Sequence, residues 1–288
     1  RAEVIRRCRM LPPHARERWP RLRELVDATR DPASVDHARL AALEAWFLLA
    51  WLDPMFLGEP EAVAALAAPR PGERHRDALL ALHARLTAEV LPAYRRLAEK
   101  GQIELSTSPY YHPILPLIVD SRCAQRARPD LVAPFEPFVA PEDARLQVRG
   151  AMERHARVFG APPAGMWPSE GGVSPEVAAL AAECGLRWLA TDEAVLWRSL
   201  PPDERRRALL YQPWRIGTLH GDTALFFRDR DLSDRIGFVY QRWDPAEAAR
   251  DFVQRVRRIG AESAGGAPPL VVVILDGENC WEAYAEDG

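Results

Sequence analysis

The sequence feature that most constrains the fold is an unbroken apolar run, LVVVIL, at residues 270–275. A loop rich in Gly, Ala and Pro at 260–269 precedes it, and the residues at 245–259 predict an amphipathic helix. A strand that is apolar at every position must be buried on both faces, because successive side chains point to opposite sides of a sheet. Helices that alternate with parallel strands cover both faces, so the run predicts an α/β fold with a parallel sheet or barrel.

The rest of the chain divides into a helical part and a part in which helices and strands alternate. Apolar residues recur at helical spacing in 40–52 and 78–97, which predicts a mainly helical region over residues 1–100. Farther along, Ser174 as N-cap and Gly185 as a stop signal predict a short helix between them. Segments with strand character are predicted at residues 102–107, 188–192 and 225–228.

Composition argues against several classes of protein. The 288 residues carry 38 basic and 41 acidic side chains, a formal net charge of −3, whereas nucleic-acid binding needs clustered positive charge. No apolar run approaches the roughly 18 residues of a membrane span, so neither nucleic acid nor membrane is an expected partner. Widely separated cysteines without a CxxC pair argue against a zinc site or a disulfide framework and favour a reducing, cytoplasmic location. These cysteines are Cys8, Cys123, Cys184 and Cys280.

Acidic residues that follow strand-like segments are the first candidates for chemistry. They are Glu170, Asp192 and Asp276, and carboxylates from separate strand ends can converge at the mouth of a barrel. Retaining glycoside hydrolysis uses such a pair, one as nucleophile and the other as acid and then base. The alternative is that a strand-end acid caps a helix or forms a salt bridge. Aromatic side chains near these positions could stack on sugar rings or simply pack: Tyr110, Tyr111, Trp167, Trp243 and Trp281.

Three longer motifs carry a resemblance to a known family. Residues 101–117 (GQIELSTSPYYHPILPL) resemble the second conserved region of glycoside hydrolase family 57. Residues 165–171 (GMWPSEG) are similar to its third region, and residues 275–282 (LDGENCWE) to its fourth. The segments 50–54, 190–193 and 227–238 are also similar to the amylopullulanase-like branch of that family. The order of the motifs agrees as well, and the resemblance extends from about Trp51 to the C-terminus.

The resemblance implies an incomplete (β/α)7 barrel, TIM-like with helical insertions, that acts on α-glucans such as starch, glycogen and malto-oligosaccharides. It implies that Glu170 is the nucleophile and Asp276 the general acid/base. His112, Tyr111 and Trp167 would then line the subsite for the reacting sugar. Asp192, Trp243 and Trp281 are further candidates for contact with substrate, with a structural role for Asp192 left open.

Two features depart from the family's pattern. The first conserved region, a His-Gln-Pro motif, and the fifth region are absent, and the chain begins without Met. We therefore interpret residues 1–288 as a single catalytic barrel domain truncated at both ends, with residues 1–100 as a mainly helical insertion. A barrel without its first strand would expose a sheet edge, so the activity of this chain alone, and secretion directed from upstream, are left open.

Two other functions stay open at this point. A metal-dependent carbohydrate deacetylase or mannosidase would need a cluster of His and Asp ligands, and the sequence contains no HxxxH pair. A glucan-binding barrel without turnover is the second alternative. The two-carboxylate mechanism needs no cofactor, and no Gly-rich phosphate loop is found. Hydrolysis and transfer share a covalent intermediate, so the sequence does not choose between them or indicate an oligomeric state.

Overall fold

The computed structural model describes residues 1–11, 13–29, 31–132, 135–263, 267–277 and 283–284. The chain divides into two compact units, one formed by residues 1–90 with 276–288 and the other by residues 91–275. None of the helices in the described ranges is long and apolar enough to cross a membrane.

Residues 1–90 build a helical unit around a core of Leu and Ala side chains. Its central helix carries buried residues on several sides, including Leu43, Trp46 and Leu49, because neighbouring helices surround it. Asp36 begins this helix by accepting a hydrogen bond from the Arg39 amide at 2.7 Å. The helices are α1 (Ala2–Met10), α2 (Pro13–Arg18), α3 (Pro20–Asp27), α4 (His37–Ala50), α5 (Pro60–Ala67) and α6 (Glu73–Glu99), of which α6 continues into the second unit.

Residues 91–275 hold a mixed sheet with helices packed on one face. Its helices are α7 (Leu115–Val119), α8 (Ala124–Ala127), α9 (Pro141–Phe159), α10 (Pro175–Glu183), α11 (Glu193–Ser199), α12 (Arg230–Asp234) and α13 (Pro245–Glu262). Its strands are β1 (Gly165–Met166), β2 (Trp188–Asp192), β3 (Trp214–Thr218) and β4 (Gly221–Arg228). The strand order in the described residues is β1-β2-β4-β3, with β1, β2 and β4 parallel and β3 antiparallel to β4.

Alternation along the strands explains which face the helices cover. Leu189 pairs in register with Leu225, and both lie in a buried cluster with Val177 and Leu180 of α10. On β1, a Cβ added at Gly165 would lie 1.9 Å from the Trp188 ring, so only glycine lets this ring cover the strand. The predicted α/β fold class is therefore confirmed in the described part of the chain.

Short-range sequence signals predicted the positions of several elements correctly. The Ser174 hydroxyl accepts from the Val177 amide at 3.3 Å at the start of α10, and Gly185, with φ of +88°, follows the end of that helix. The strand predicted at 188–192 is β2 with the same bounds. The strand predicted at 102–107 is reduced to one parallel bridge, between Thr107 and Met166.

The prediction of a sheet strand at 270–275 is wrong for this structure. The segment has no regular secondary structure, residues 271–275 are only half-buried, and in the described part of the chain it makes single hydrogen bonds instead of a ladder. A ladder needs a neighbour that runs alongside over several residues. Here the chain beyond β4 turns into α12 at Arg230, so segment 270–275 meets the end of that strand at one backbone group, the Asp229 amide.

Candidate active site

Glu170 lies in a turn directly beyond the carboxyl end of β1. Its backbone has φ of 55° and ψ of 22°, the left-handed region that residues other than glycine seldom occupy, and its side chain is exposed. Two successive tight turns impose this conformation, because the Gly171 amide donates to Pro168 O at 2.8 Å and the Gly172 amide to Ser169 O at 2.9 Å. Such a backbone costs on the order of 1–3 kcal/mol and marks a candidate functional position.

The neighbouring strand and Trp167 hold this turn in place. The buried Thr191 hydroxyl of β2 donates to Gly171 O at 2.5 Å. Gly171 itself has φ of +65°, and a Cβ there would lie 3.1 Å from the Trp167 ring, which packs against the turn. The Ser169 hydroxyl is fully buried and has no hydrogen-bond partner among the described residues. Glu170 is thus the exposed residue of a turn whose neighbours are buried and fixed.

The loop with His112 leaves the sheet at the same edge. Thr107 pairs with Met166 in parallel, so the residues after each of them emerge on the same side. Tyr111 is 79% exposed and its backbone amide donates to the Gln147 side chain of α9 at 2.9 Å. His112 is exposed and, like Glu170, has a left-handed backbone, with φ of 57°. The sequence candidates Glu170, Trp167, Tyr111 and His112 therefore lie on adjacent loops at one sheet edge.

Asp192 lies at the carboxyl end of β2, at the same edge, but its carboxylate is already engaged. It caps α11 by accepting from the Ala194 amide at 2.9 Å, and it is ion-paired with Arg230 and with Arg228. Burial by itself raises the pKa of Asp192, but the hydrogen bonds from Arg230 and Ala194 and the charge of Arg228 outweigh it, so the pKa is lowered. A contact between Asp192 and substrate stays a prediction, one that must compete with these partners.

Asp229 was not predicted from the sequence, and it is the most deeply buried carboxylate among the described residues of this unit. It is 1% exposed, follows β4 directly, and accepts from the Tyr211 hydroxyl at 2.8 Å and from Arg207 at 2.8 Å. Burial raises the pKa of Tyr211, and its hydrogen bond to Asp229 raises it further. Its sequence signal is the one that indicated Asp192, an acidic residue at the end of a strand, because Asp229 directly follows β4.

Asp276 follows segment 270–275 and is exposed. It belongs to the first compact unit, whereas Glu170 belongs to the second, so the distance between the two carboxyl groups stays a prediction.

Trp243 is 41% exposed and contacts Tyr240 edge to face, with ring centroids 5.4 Å apart. Trp281 lies outside the described residues. In the described ranges, no group of three or more His, Cys, Asp or Glu side chains is arranged to hold a metal ion.

The fold and this edge define an α/β protein in which acidic, aromatic and histidine side chains gather at the carboxyl ends of parallel strands. The family model of glycosyl hydrolase family 57 matches residues 14–288, so the chain belongs to this family, as the motifs predicted. A comparison with curated proteins gave no match.

Solved structures of other enzymes align with this chain. The structure of a family 57 branching enzyme from Thermococcus kodakaraensis aligns with a TM-score of 0.56 at 17% identity, over 92% of this chain and 59% of that one. This likeness supports a shared fold. The α-amylase AmyC from Thermotoga maritima aligns with a TM-score of 0.49 at 16% identity, over 92% of this chain and 53% of that one. The chain thus spans less than two thirds of either enzyme.

Proposed function

We propose that the protein is a retaining glycoside hydrolase or transglycosylase that acts on α-glucans. The observation that carries the proposal is the exposed Glu170 side chain, held in a left-handed turn at the carboxyl edge of the sheet beside Trp167. A nucleophile must reach a bulky substrate from a fixed position, and this turn combines exposure of one side chain with burial of its neighbours. Family membership supports the same assignment.

In the proposed mechanism, a Glu170 carboxylate oxygen attacks the anomeric carbon and the glycosidic bond breaks. Asp276 donates a proton to the departing sugar oxygen, which leaves a covalent glycosyl-enzyme. Asp276 then takes a proton from a water molecule or a sugar hydroxyl as that oxygen attacks the anomeric carbon and the bond to Glu170 breaks. Water gives hydrolysis and the sugar hydroxyl gives transfer, and Glu170 is released as a carboxylate in both. We predict that the two carboxyl groups are about 5–5.5 Å apart when the site is assembled, the separation typical of retaining enzymes.

The substrate contacts in this proposal come from the adjacent loops. We propose that sugar rings stack on Tyr111 and Trp167 and that a ring nitrogen of His112 binds a sugar hydroxyl. Asp192, Trp243 and Trp281 are proposed as further contacts. We propose that residues 1–288 form one catalytic domain with residues 1–100 as a helical insertion. An α-glucan is the proposed partner, and no cofactor is proposed.

The test is product analysis after incubation with one pure malto-oligosaccharide. Glu170→Gln should abolish turnover while sugar binding persists, because the amide keeps the shape of the side chain but is a far weaker nucleophile. Glu204→Gln is the matched control, since Glu204 is also exposed on the same unit and lies on the short helical turn Pro202–Glu204. Full activity in Glu170→Gln would remove this residue from its proposed role.

The same products separate the remaining possibilities. Shorter products alone indicate a hydrolase, and shorter and longer products together indicate a transglycosylase. The anomer formed first, read by NMR, should have the configuration of the substrate, whereas the opposite anomer would rule out the double displacement. Sugar binding without any product would favour the glucan-binding alternative.

A further inference from the structure

Segment 270–275, which leads into Asp276, is held by isolated hydrogen bonds. The Leu270 amide donates to Tyr211 O at 2.8 Å, and Val272 O accepts from the Asp229 amide at 2.8 Å. The Ile274 amide donates to the Ser233 hydroxyl at 3.2 Å. Because no ladder among the described residues supports the segment, each of these bonds restrains a larger share of its backbone than one rung of a sheet would.

Asp229 supports two of these bonds, and its own side chain is held by three hydrogen bonds. One of its carboxylate oxygens accepts from the Leu232 amide at 2.9 Å, and the other accepts from Tyr211 and Arg207. A buried carboxylate with three donors is fixed in one orientation. Its backbone amide thereby holds Val272, and its backbone oxygen holds the Ser233 hydroxyl at 2.7 Å.

Ser233 connects Asp229 to the segment through two hydrogen bonds. Its side chain is 1% exposed, and its single hydroxyl donates to Asp229 O while it accepts from the Ile274 amide. Ile274 is two residues before Asp276, so this is the described anchor nearest in sequence to the proposed acid/base. An alanine at position 233 would leave the part-buried Ile274 amide without its acceptor.

We propose that Ser233, fixed by Asp229, is a positioning residue that sets where segment 270–275 delivers Asp276. This inference rests on the proposed function, because it assigns the segment a task in proton transfer. Ser233 itself touches no substrate in the mechanism above. Its effect therefore depends on how much a reaction needs the general acid.

The experiment compares Ser233→Ala with the unmodified chain on two substrates. One is a malto-oligosaccharide, whose departing sugar needs a proton, and the other is a nitrophenyl α-malto-oligosaccharide, whose leaving group departs without one. We expect kcat/KM, which reports the steps through glycosidic bond cleavage, to fall on the order of tenfold to a hundredfold with the first substrate. The loss with the nitrophenyl substrate should be clearly smaller. Equal losses with both substrates would overturn the proposal.

Tyr211→Phe is the matched control. It removes one hydrogen bond to the Asp229 carboxylate but retains the Ser233 hydroxyl and the backbone bond from Leu270. We expect this variant to be less stable but to keep the ratio of the two kcat/KM values. A ratio shifted as far as in Ser233→Ala would mean that any damage to the cluster has the same effect, and it would refute the specific role of Ser233.

Hydrogen exchange provides a measurement that does not depend on turnover. In Ser233→Ala the Ile274 amide should exchange roughly fivefold faster, because its hydrogen bond to the Ser233 hydroxyl is lost. Unchanged exchange would show that Ser233 does not anchor the segment. If the unmodified chain turns over neither substrate, the proposed function fails, and the exchange result alone decides whether the anchor exists.

Discussion

Thr191→Val tests how the Glu170 turn is held. Thr191 is fully buried, and its hydroxyl makes a 2.5 Å hydrogen bond to the carbonyl of Gly171, which is also buried. Valine keeps the shape of the side chain but leaves that carbonyl without its donor, which costs about 1–3 kcal/mol. For a chain of this length, this corresponds to a melting temperature lower by about 2–6 °C.

Activity should respond more strongly than stability. The turn can relax once the bond is lost, and a displacement of the nucleophile by ~1 Å lowers the rate up to about a hundredfold. The assay combines thermal denaturation with the malto-oligosaccharide reaction, each measured on purified protein. A melting point within 1 °C of the unmodified chain would contradict the expected cost of the lost hydrogen bond, because it corresponds to a loss of less than about 0.5 kcal/mol.

The control for this experiment is Thr223→Val on the neighbouring strand. Thr223 is as buried as Thr191, but its hydroxyl has no hydrogen-bond partner among the described residues. Replacing an unsatisfied buried hydroxyl with a methyl group should be neutral or stabilising. If Thr191→Val and Thr223→Val behave alike, the hydrogen bond to Gly171 does not hold the turn, and the reasoning is refuted.

Three further predictions concern the same unit. Gly171→Ala should destabilise the protein more than Gly185→Ala, because both add strain at positive φ but only the first also approaches a ring, at 3.1 Å; equal melting points would contradict this. Arg126 lowers the pKa of Glu176 from 4.5 to about 2, so their bond contributes stability above pH ~4.5 that is lost as the pH falls towards 2. In Arg126→Gln the free energy of unfolding should therefore depend less on pH in that window, as acid denaturation would measure. Asp229→Ala should cost about 3 kcal/mol or more in chemical denaturation, because it leaves a buried hydroxyl and a buried amide without acceptors.

Features with local causes could be predicted from the sequence. The bounds of β2 and the cap and stop of α10 depend on residues within or beside each element, such as Ser174 and Gly185. The family could be read from three motifs because each combines several residues at fixed spacing. The edge that collects Trp167, Tyr111 and His112 followed from the rule that parallel strands end together.

Features that depend on distant partners could not be predicted. Segment 270–275 has an ideal apolar pattern, but a strand also needs a neighbour, and the sequence does not state where one runs. The antiparallel strand β3, at Trp214–Thr218, was missed because its short pattern gives no signal without its partner β4. The left-handed backbones of His112 and Glu170 could not be predicted either, because the tight turns that impose them are held by residues far along the chain, as Thr191 holds the turn at Glu170.

The left-handed backbone of Glu170 has a consequence for how this protein can be improved. Glycine adopts that conformation without steric cost, so Glu170→Gly should melt at a higher temperature than the unmodified chain while it loses the proposed nucleophile. Stability and activity are then opposed at a single position. A screen for thermostable variants that does not also measure turnover would select the loss of Glu170, and natural selection for folding alone would not have kept it.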